Sequence, residues 1–169
     1  SGNVPRNYLI LELSSDLRER SRDTLAGRVP HLLERVAWLN RLPPSFSGVV
    51  IGNEVLDAMP VHVVRVHGGK IEEGGVGVRA DRVDWSWRIA SSDLLDAARA
   101  LRLPEGFRTE IALVACAFMR SLAGVLEKGL ALFVDYGFPA KEYYHPQRKE
   151  GTLMCHYRHR AHSDPFFFP

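Results

Sequence analysis

The chain has 169 residues, 46% hydrophobic and 25% charged, enough for one globular domain with a core of its own. A net charge of +2 is too near neutral to argue for a nucleic-acid or membrane-surface partner. No apolar run approaches the roughly 20 residues of a membrane helix, and the two cysteines, Cys116 and Cys155, sit in unlike contexts that suggest free thiols in a reducing compartment.

The amino end, Ser1-Gly2-Asn3, is neither a signal nor a transit peptide, and Ser-Gly reads as a cloning scar. A strand from Tyr8 to Leu13 follows almost at once. Its apolar run Tyr8-Leu9-Ile10-Leu11 suits a strand buried on both faces, and Glu12 closes it. Ser14 or Ser15 is placed to cap a helix starting near Asp16, which Gly27 and Pro30 stop. A short strand is expected from Arg35 to Leu39. Pro43-Pro44 then breaks the chain before a central strand, Gly48 to Gly52. This β-α-β-loop-β rhythm favours a parallel sheet. From residue 61 to 90 the short alternating runs broken by glycines predict an antiparallel β excursion, with a turn at Gly68-Gly69. Gly74-Gly75-Val76-Gly77 lacks the strand before and helix after that a phosphate loop requires, and reads as a hairpin turn. Ser91 or Ser92 caps a helix to about Leu101. Thr109 is expected to cap a longer one through Lys128, closed by Gly129. A buried strand, Leu130 to Val134, ends in Asp135-Tyr136-Gly137, and the rest has no clear period. The chain stops after Phe166-Phe167-Phe168-Pro169, so both ends read as cut.

Three apolar strands thus end in acids: Glu12, the pair Glu54 and Asp57, and Asp135. In an open α/β sheet, ligands bind outside the carboxyl ends of the strands, and an acid there typically accepts hydrogen bonds from ribose hydroxyls. Glu12 fits that role. Glu54 and Asp57, in Gly52-Asn53-Glu54-Val55-Leu56-Asp57-Ala58-Met59-Pro60, are poor at holding phosphate and suit hydroxyls or a cationic centre. Each acid taken alone is equally well a polar residue where a strand leaves the core. Cys155, His156, His159 and His162 are metal-ligand types at plausible spacing, but Arg158 and Arg160 between them disfavour a cation. Residues 141–162 also mix basic and aromatic side chains in the manner of a nucleic-acid patch, diluted by acids and prolines. No nucleophile motif of the G-x-S-x-G type occurs.

The stretches Tyr8 to Glu12, Gly52 to Val61, Phe133 to Gly137, Glu142 to Arg148 and Gly151 to His162 resemble the MidA-type family of S-adenosylmethionine-dependent methyltransferases. The resemblance implies a Rossmann-like α/β fold: a mostly parallel sheet with helices on both faces, here one partial domain over residues 1–169 with residues 61–90 as its β excursion. It implies S-adenosyl-L-methionine as cofactor and a protein acceptor. In mitochondrial members that acceptor is an arginine of a respiratory complex I subunit. The implied compartment is the cytoplasm for a bacterial protein and the mitochondrial matrix for a eukaryotic one. On this resemblance the family's glycine-rich cofactor loop has no counterpart in the sequence, which begins at the second strand and stops before the last strands of the fold.

On this resemblance Glu12 holds the cofactor ribose, Trp38 and Leu39 flank the adenine, and Asn53 lies near the methionine end. Glu54 and Asp57 orient a guanidinium for catalysis. Asp135 and Tyr136 line the acceptor channel, and His156 and His159 contact substrate. No metal ligand is assigned. The competing possibilities are a non-catalytic assembly module on the same fold and a zinc or nucleic-acid module built on residues 141–162.

Overall fold

The computed structural model describes residues 5–167; Ser1-Gly2-Asn3 at one end and Phe168-Pro169 at the other lie outside the described residues. The chain forms two compact units, Ser1–Val50 with Met119–Ala131, and Ile51–Phe118 with Leu132–Pro169. Both parallel and antiparallel strand pairs are present, with helices between them, so the fold is mixed α/β.

In the first unit, β1 (Tyr8–Leu11) pairs in parallel with β2 (Val36–Leu39), Leu11 opposite Leu39. The connection is α1 (Ser15–Arg28) followed by a 3-10 turn over Pro30–Arg35. Ser14 caps α1 by accepting the Leu17 N–H, as the sequence predicts; Gly27 lies within the helix and does not stop it, and Pro30, just past its end, opens the 3-10 turn. The strand stops short of Leu13 because the chain turns into that cap. Tyr8, Ile10, Leu17, Leu25, Leu32 and Val36 line an apolar groove of about 690 Å³ beside α1. Leu122 is buried in this unit.

The strands β3 (Phe46–Asn53) and β8 (Leu126–Val134) pair with each other. Both are longer than expected, and α3 (Leu113–Val125) is correspondingly shorter at both ends. Thr109 is not its cap. Thr109 lies in β7 (Arg108–Ile111) opposite Val64, its hydroxyl buried without a hydrogen-bond partner. Gly129 does not close the helix either. It sits inside β8 at φ +148°, where a Cβ would collide with the Gly48 carbonyl. Close strand approach, not helix termination, explains that glycine. The alternate residues Val49, Ile51, Leu130 and Leu132 are exposed, so this pair is not buried on both faces among the described residues.

The second unit holds the larger core. A four-stranded antiparallel sheet has the order β6-β5-β4-β7, with β4 at His62–His67, β5 at Lys70–Arg79 and β6 at Arg82–Ile89. The Gly68-Gly69 turn joins β4 to β5 as predicted. The Gly74-Gly75-Val76-Gly77 cluster is not a turn. It lies within β5, where Gly74 faces the rings of Trp85 and Trp87 and a Cβ would meet them at 3.0 to 3.1 Å. The turn falls instead at Ala80-Asp81, both in the left-handed region. One sheet face packs against α2 (Ser92–Ala100), whose Leu94 and Ala98 lie one turn apart and join Val64, Ala90 and Ile111 in the core. Each fully buried large side chain there stabilises the unit by about 2 kcal/mol.

The segment after β8 also belongs to this unit. It contains a short helix α4 (Ala140–Tyr143), a 3-10 turn over Pro146–Arg148 and a hairpin of β9 (Cys155–Tyr157) with β10 (Arg160–His162). Cys116 and Cys155 are free thiols.

Candidate active site

In the first unit Glu12 leaves the carboxyl end of β1 with its backbone N–H still donating to Leu39 O at 3.1 Å, so the parallel pairing extends one residue further. One carboxylate oxygen, Oε1, accepts the Ser14 N–H at 2.8 Å. That bond fixes the side chain at the strand end and leaves Oε2 free of any protein donor among the described residues. A half-buried carboxylate with one open oxygen suits the hydroxyls of a ribose, so the residues present fit the nucleoside part of the implied cofactor. Leu39 ends the neighbouring strand at the same edge. Trp38 faces α1: its indole N–H donates to Ser21 Oγ at 2.8 Å, and the Arg22 guanidinium lies 4.9 Å from its ring. Its ring packs on the helix side of β2, and the side chain of Leu39 alternates to the other face.

In the second unit the end of β3 is shaped by two constraints. Glu54 adopts φ +52°, unusual for a residue other than glycine, and its N–H donates to Val134 O at 2.8 Å. Just behind it, Gly52 packs so close to Phe133 that a Cβ would meet the ring at 2.6 Å. The chain then turns back over Asp135. Its Oδ2 accepts the N–H of Val55 at 3.1 Å and of Leu56 at 2.8 Å, and its Oδ1 that of Asp57 at 3.3 Å. The Leu56 N–H, ahead of those of Asp57 and Val55, holds the Asp135 carboxyl below the usual carboxylate range. Asp135 is thus committed to the turn that carries Glu54 and Asp57. Asn53, Glu54 and Asp57 are exposed, and so is Tyr136, at 79%. A rigid turn with two exposed acids is suited to hold a cation.

The sequence brings Asn53, Glu54, Asp57, Asp135 and Tyr136 to one place. His156 and His159 lie on the β9–β10 hairpin, exposed, and neither is hydrogen-bonded to residues 53–57 or to Asp135 among the described residues. Arg158 and His159 form the tip of that hairpin, both in the left-handed region at φ +47° and +62°. No group of three or more His, Cys, Asp and Glu side chains among the described residues is arranged to hold a metal ion. Among the described residues no helix is long and apolar enough to cross a membrane.

Glu110 is absent from the sequence-based set, yet it organises the carboxyl-terminal segment. Only 6% exposed, it accepts the Tyr143 hydroxyl at 3.0 Å, the Thr152 N–H at 2.9 Å, the Thr152 hydroxyl at 3.0 Å and the Leu153 N–H at 3.1 Å. Burial, opposed in part by the Thr152 hydrogen bond, pushes the Tyr143 phenol up to about 12. Arg108-Thr109-Glu110-Ile111 has no apolar alternation, and Thr109, Glu110 and Ile111 are all buried, so this strand carries no local signature in the sequence.

Residues 3–169 match a family model described as "Putative S-adenosyl-L-methionine-dependent methyltransferase". No curated protein matches the chain. Two crystal structures of proteins from Burkholderia thailandensis are similar to it. One is of an uncharacterized protein, 46% identical with a TM-score of 0.87, covering 97% of this chain and 44% of that one. The other is of a "likely methyl transferase" bound to S-adenosyl-homocysteine, 47% identical with a TM-score of 0.85, covering 97% of this chain and 43% of that one. The chain therefore spans less than half the length of these relatives. With the match running over nearly all of its residues, the chain belongs to the S-adenosyl-L-methionine-dependent methyltransferase family that this model describes.

Proposed function

We propose that the protein methylates a protein acceptor, with S-adenosyl-L-methionine as donor and an arginine side chain as the nucleophile. The observation that carries the proposal is the turn at 54–57, where Asp135 fixes the backbone beneath two exposed carboxylates. The cofactor supplies an electrophilic methyl group on a sulfonium. Glu12 would hold its ribose, Leu39 and Trp38 would border its adenine, and Asn53 would meet its methionine end, on the Rossmann-like arrangement that the family resemblance implies. The family membership and the S-adenosyl-homocysteine in one relative support the cofactor assignment.

An arginine guanidinium stays charged at any ordinary pH and spreads its electrons over three nitrogens. Glu54 and Asp57 would bind it by charge-assisted hydrogen bonds and localise its charge, leaving one nitrogen oriented to attack. Tyr136 and Asp135 would border the path of the acceptor, with His156 and His159 touching its flanks. A respiratory complex I subunit is the acceptor that the family resemblance suggests. The test is Glu54→Gln in the intact protein, assayed with labelled cofactor and candidate protein acceptors. Methyl transfer falls at least a hundredfold while cofactor affinity is unchanged; undiminished turnover removes Glu54 from the reaction. Wild-type protein that binds cofactor but labels no acceptor would favour a non-catalytic module on the same fold.

A further inference from the structure

His62 opens β4, two residues beyond Pro60, on the strand that leaves the turn carrying Glu54 and Asp57. Its Nδ1 lies 2.8 Å from Glu73 Oε1. Glu73 is only 8% exposed, and its other oxygen, Oε2, accepts from Arg88 Nε at 3.1 Å and Nη2 at 2.9 Å. The carboxyl is held below its ordinary range by the His62 hydrogen bond first, then by Arg88, against the opposing effect of burial. A carboxylate so fixed accepts a proton on Nδ1 and directs the lone pair of neutral His62 to Nε2. The side chain of His62 is 36% exposed, so the ring is in part open to solvent. On the paired strands, Lys70 and Glu72 of β5 and Arg108 and Glu110 of β7 project from the opposite sheet face by strand alternation, Arg79 shares the face of Glu73 farther along β5, and α2, packed on that face, carries Asp93, Asp96 and Arg99.

We propose that His62, oriented by Glu73, is the base that takes the proton released when the acceptor nitrogen is methylated. The inference rests on the methyltransferase reading above. The nitrogen lone pair forms the bond to the methyl carbon as the carbon–sulfur bond breaks, its electron pair returning to sulfur. The nitrogen's N–H proton goes to His62 Nε2. The imidazolium is stabilised by the Glu73 carboxylate and then gives the proton to water. Two positive charges, one on the donor sulfonium and one on the acceptor, become one on the methylated acceptor and one on His62. Glu73 is a positioning residue in this scheme, and Arg88 keeps it ionised.

Two measurements test it. Nitrogen NMR of neutral His62 in the cofactor-free protein reads the tautomer without any assay: Nδ1–H is expected, and a predominant Nε2–H form overturns the proposal. In single-turnover methyl transfer, His62→Gln lowers the rate about a hundredfold, the usual worth of a positioned base, and abolishes the acid limb of the pH profile. Glu73→Gln loses rate by a smaller factor and shows both neutral tautomers in the nitrogen spectrum, because the carboxylate that fixes Nδ1–H has gone. Unchanged rate and profile in His62→Gln would assign the triad a purely structural role. Wild-type protein inactive on every acceptor would instead count against the methyltransferase reading, leaving the tautomer measurement to decide the state of His62.

Discussion

The Asp135 carboxylate lies 2.8 Å from the backbone N–H of Leu56, seventy-nine residues away in sequence, and this contact shapes the acidic turn. An anion receiving consecutive N–H groups behaves as a helix N-cap does, holding a short stretch of backbone in one conformation. Asp135→Asn puts an amide N–H₂ where at least one backbone donor needs an acceptor. Methyl transfer should fall ten- to a hundredfold in kcat/KM with S-adenosyl-homocysteine affinity unaltered, measured by calorimetry. The pH dependence has a definite sign. Because the folded carboxyl titrates below its ordinary value, its contribution is present above about 3.9 and lost as pH falls through the lower folded value. Amide exchange at Val55, Leu56 and Asp57 should therefore stay slow down to that acid range and rise below it.

Glu54 carries a backbone penalty that its side chain must justify. A left-handed conformation costs a residue with a Cβ about 1–2 kcal/mol relative to its normal region. Glu54→Gly relieves this, offset in part by the greater freedom of glycine when unfolded. The variant should unfold at an equal or higher temperature and yet lose methyl transfer. A lower melting temperature would show that the carboxylate stabilises the turn itself.

Much of the local structure was legible because it rests on local rules. Ser14 as a cap, the Gly68-Gly69 turn and the strand at β1 follow from hydrogen-bonding and steric preferences confined to a few residues, although Tyr8, Leu9 and Leu11 are exposed and β1 is not buried on both faces as its apolar run suggests. The errors arose where a distant partner decides. Gly129 resembles a helix stop in sequence, but its neighbour is Gly48 on another strand. Gly74 resembles a turn, but it makes room for two tryptophans of β6. The turn acids were visible as a motif, whereas the use of Asp135 beneath them, the Glu73 pairing of His62 and the Glu110 hub depend on strand register, which no window of sequence contains.

Glu12 offers a separate test of cofactor binding, away from the acidic turn. Glu12→Gln can keep the Ser14 N–H bond through its amide oxygen but presents an N–H₂ in place of the open oxygen. A charged acceptor of two ribose hydroxyls is worth more than a neutral one, so S-adenosyl-homocysteine affinity should fall about tenfold. The thermal midpoint without ligand should hardly move, since the cap of α1 survives. Equal affinity in the two proteins would place the ribose elsewhere.

Glu110 and Tyr143 make the last prediction, concerning the segment that follows α4. Among the described residues no cation donates to Glu110: its charge is met by the Tyr143 hydroxyl and by donors on Thr152 and Leu153. Glu110→Gln keeps one oxygen but turns an N–H₂ toward donors that need an acceptor, a buried mismatch worth about 1–3 kcal/mol. Hydrogen exchange should then accelerate at Thr152 and Leu153 while the α2-packed core around Leu94 keeps its protection. Tyr143 reports the same site optically. Its phenol ionises at about 12, above the ordinary value, so its contribution to stability is complete below about 10 and lost as pH rises through about 12. Ultraviolet titration should show a late phenolate step that Tyr143→Phe removes. In Glu110→Gln that step should move to lower pH, because both the adjacent negative charge and the carboxylate that binds the neutral phenol have gone.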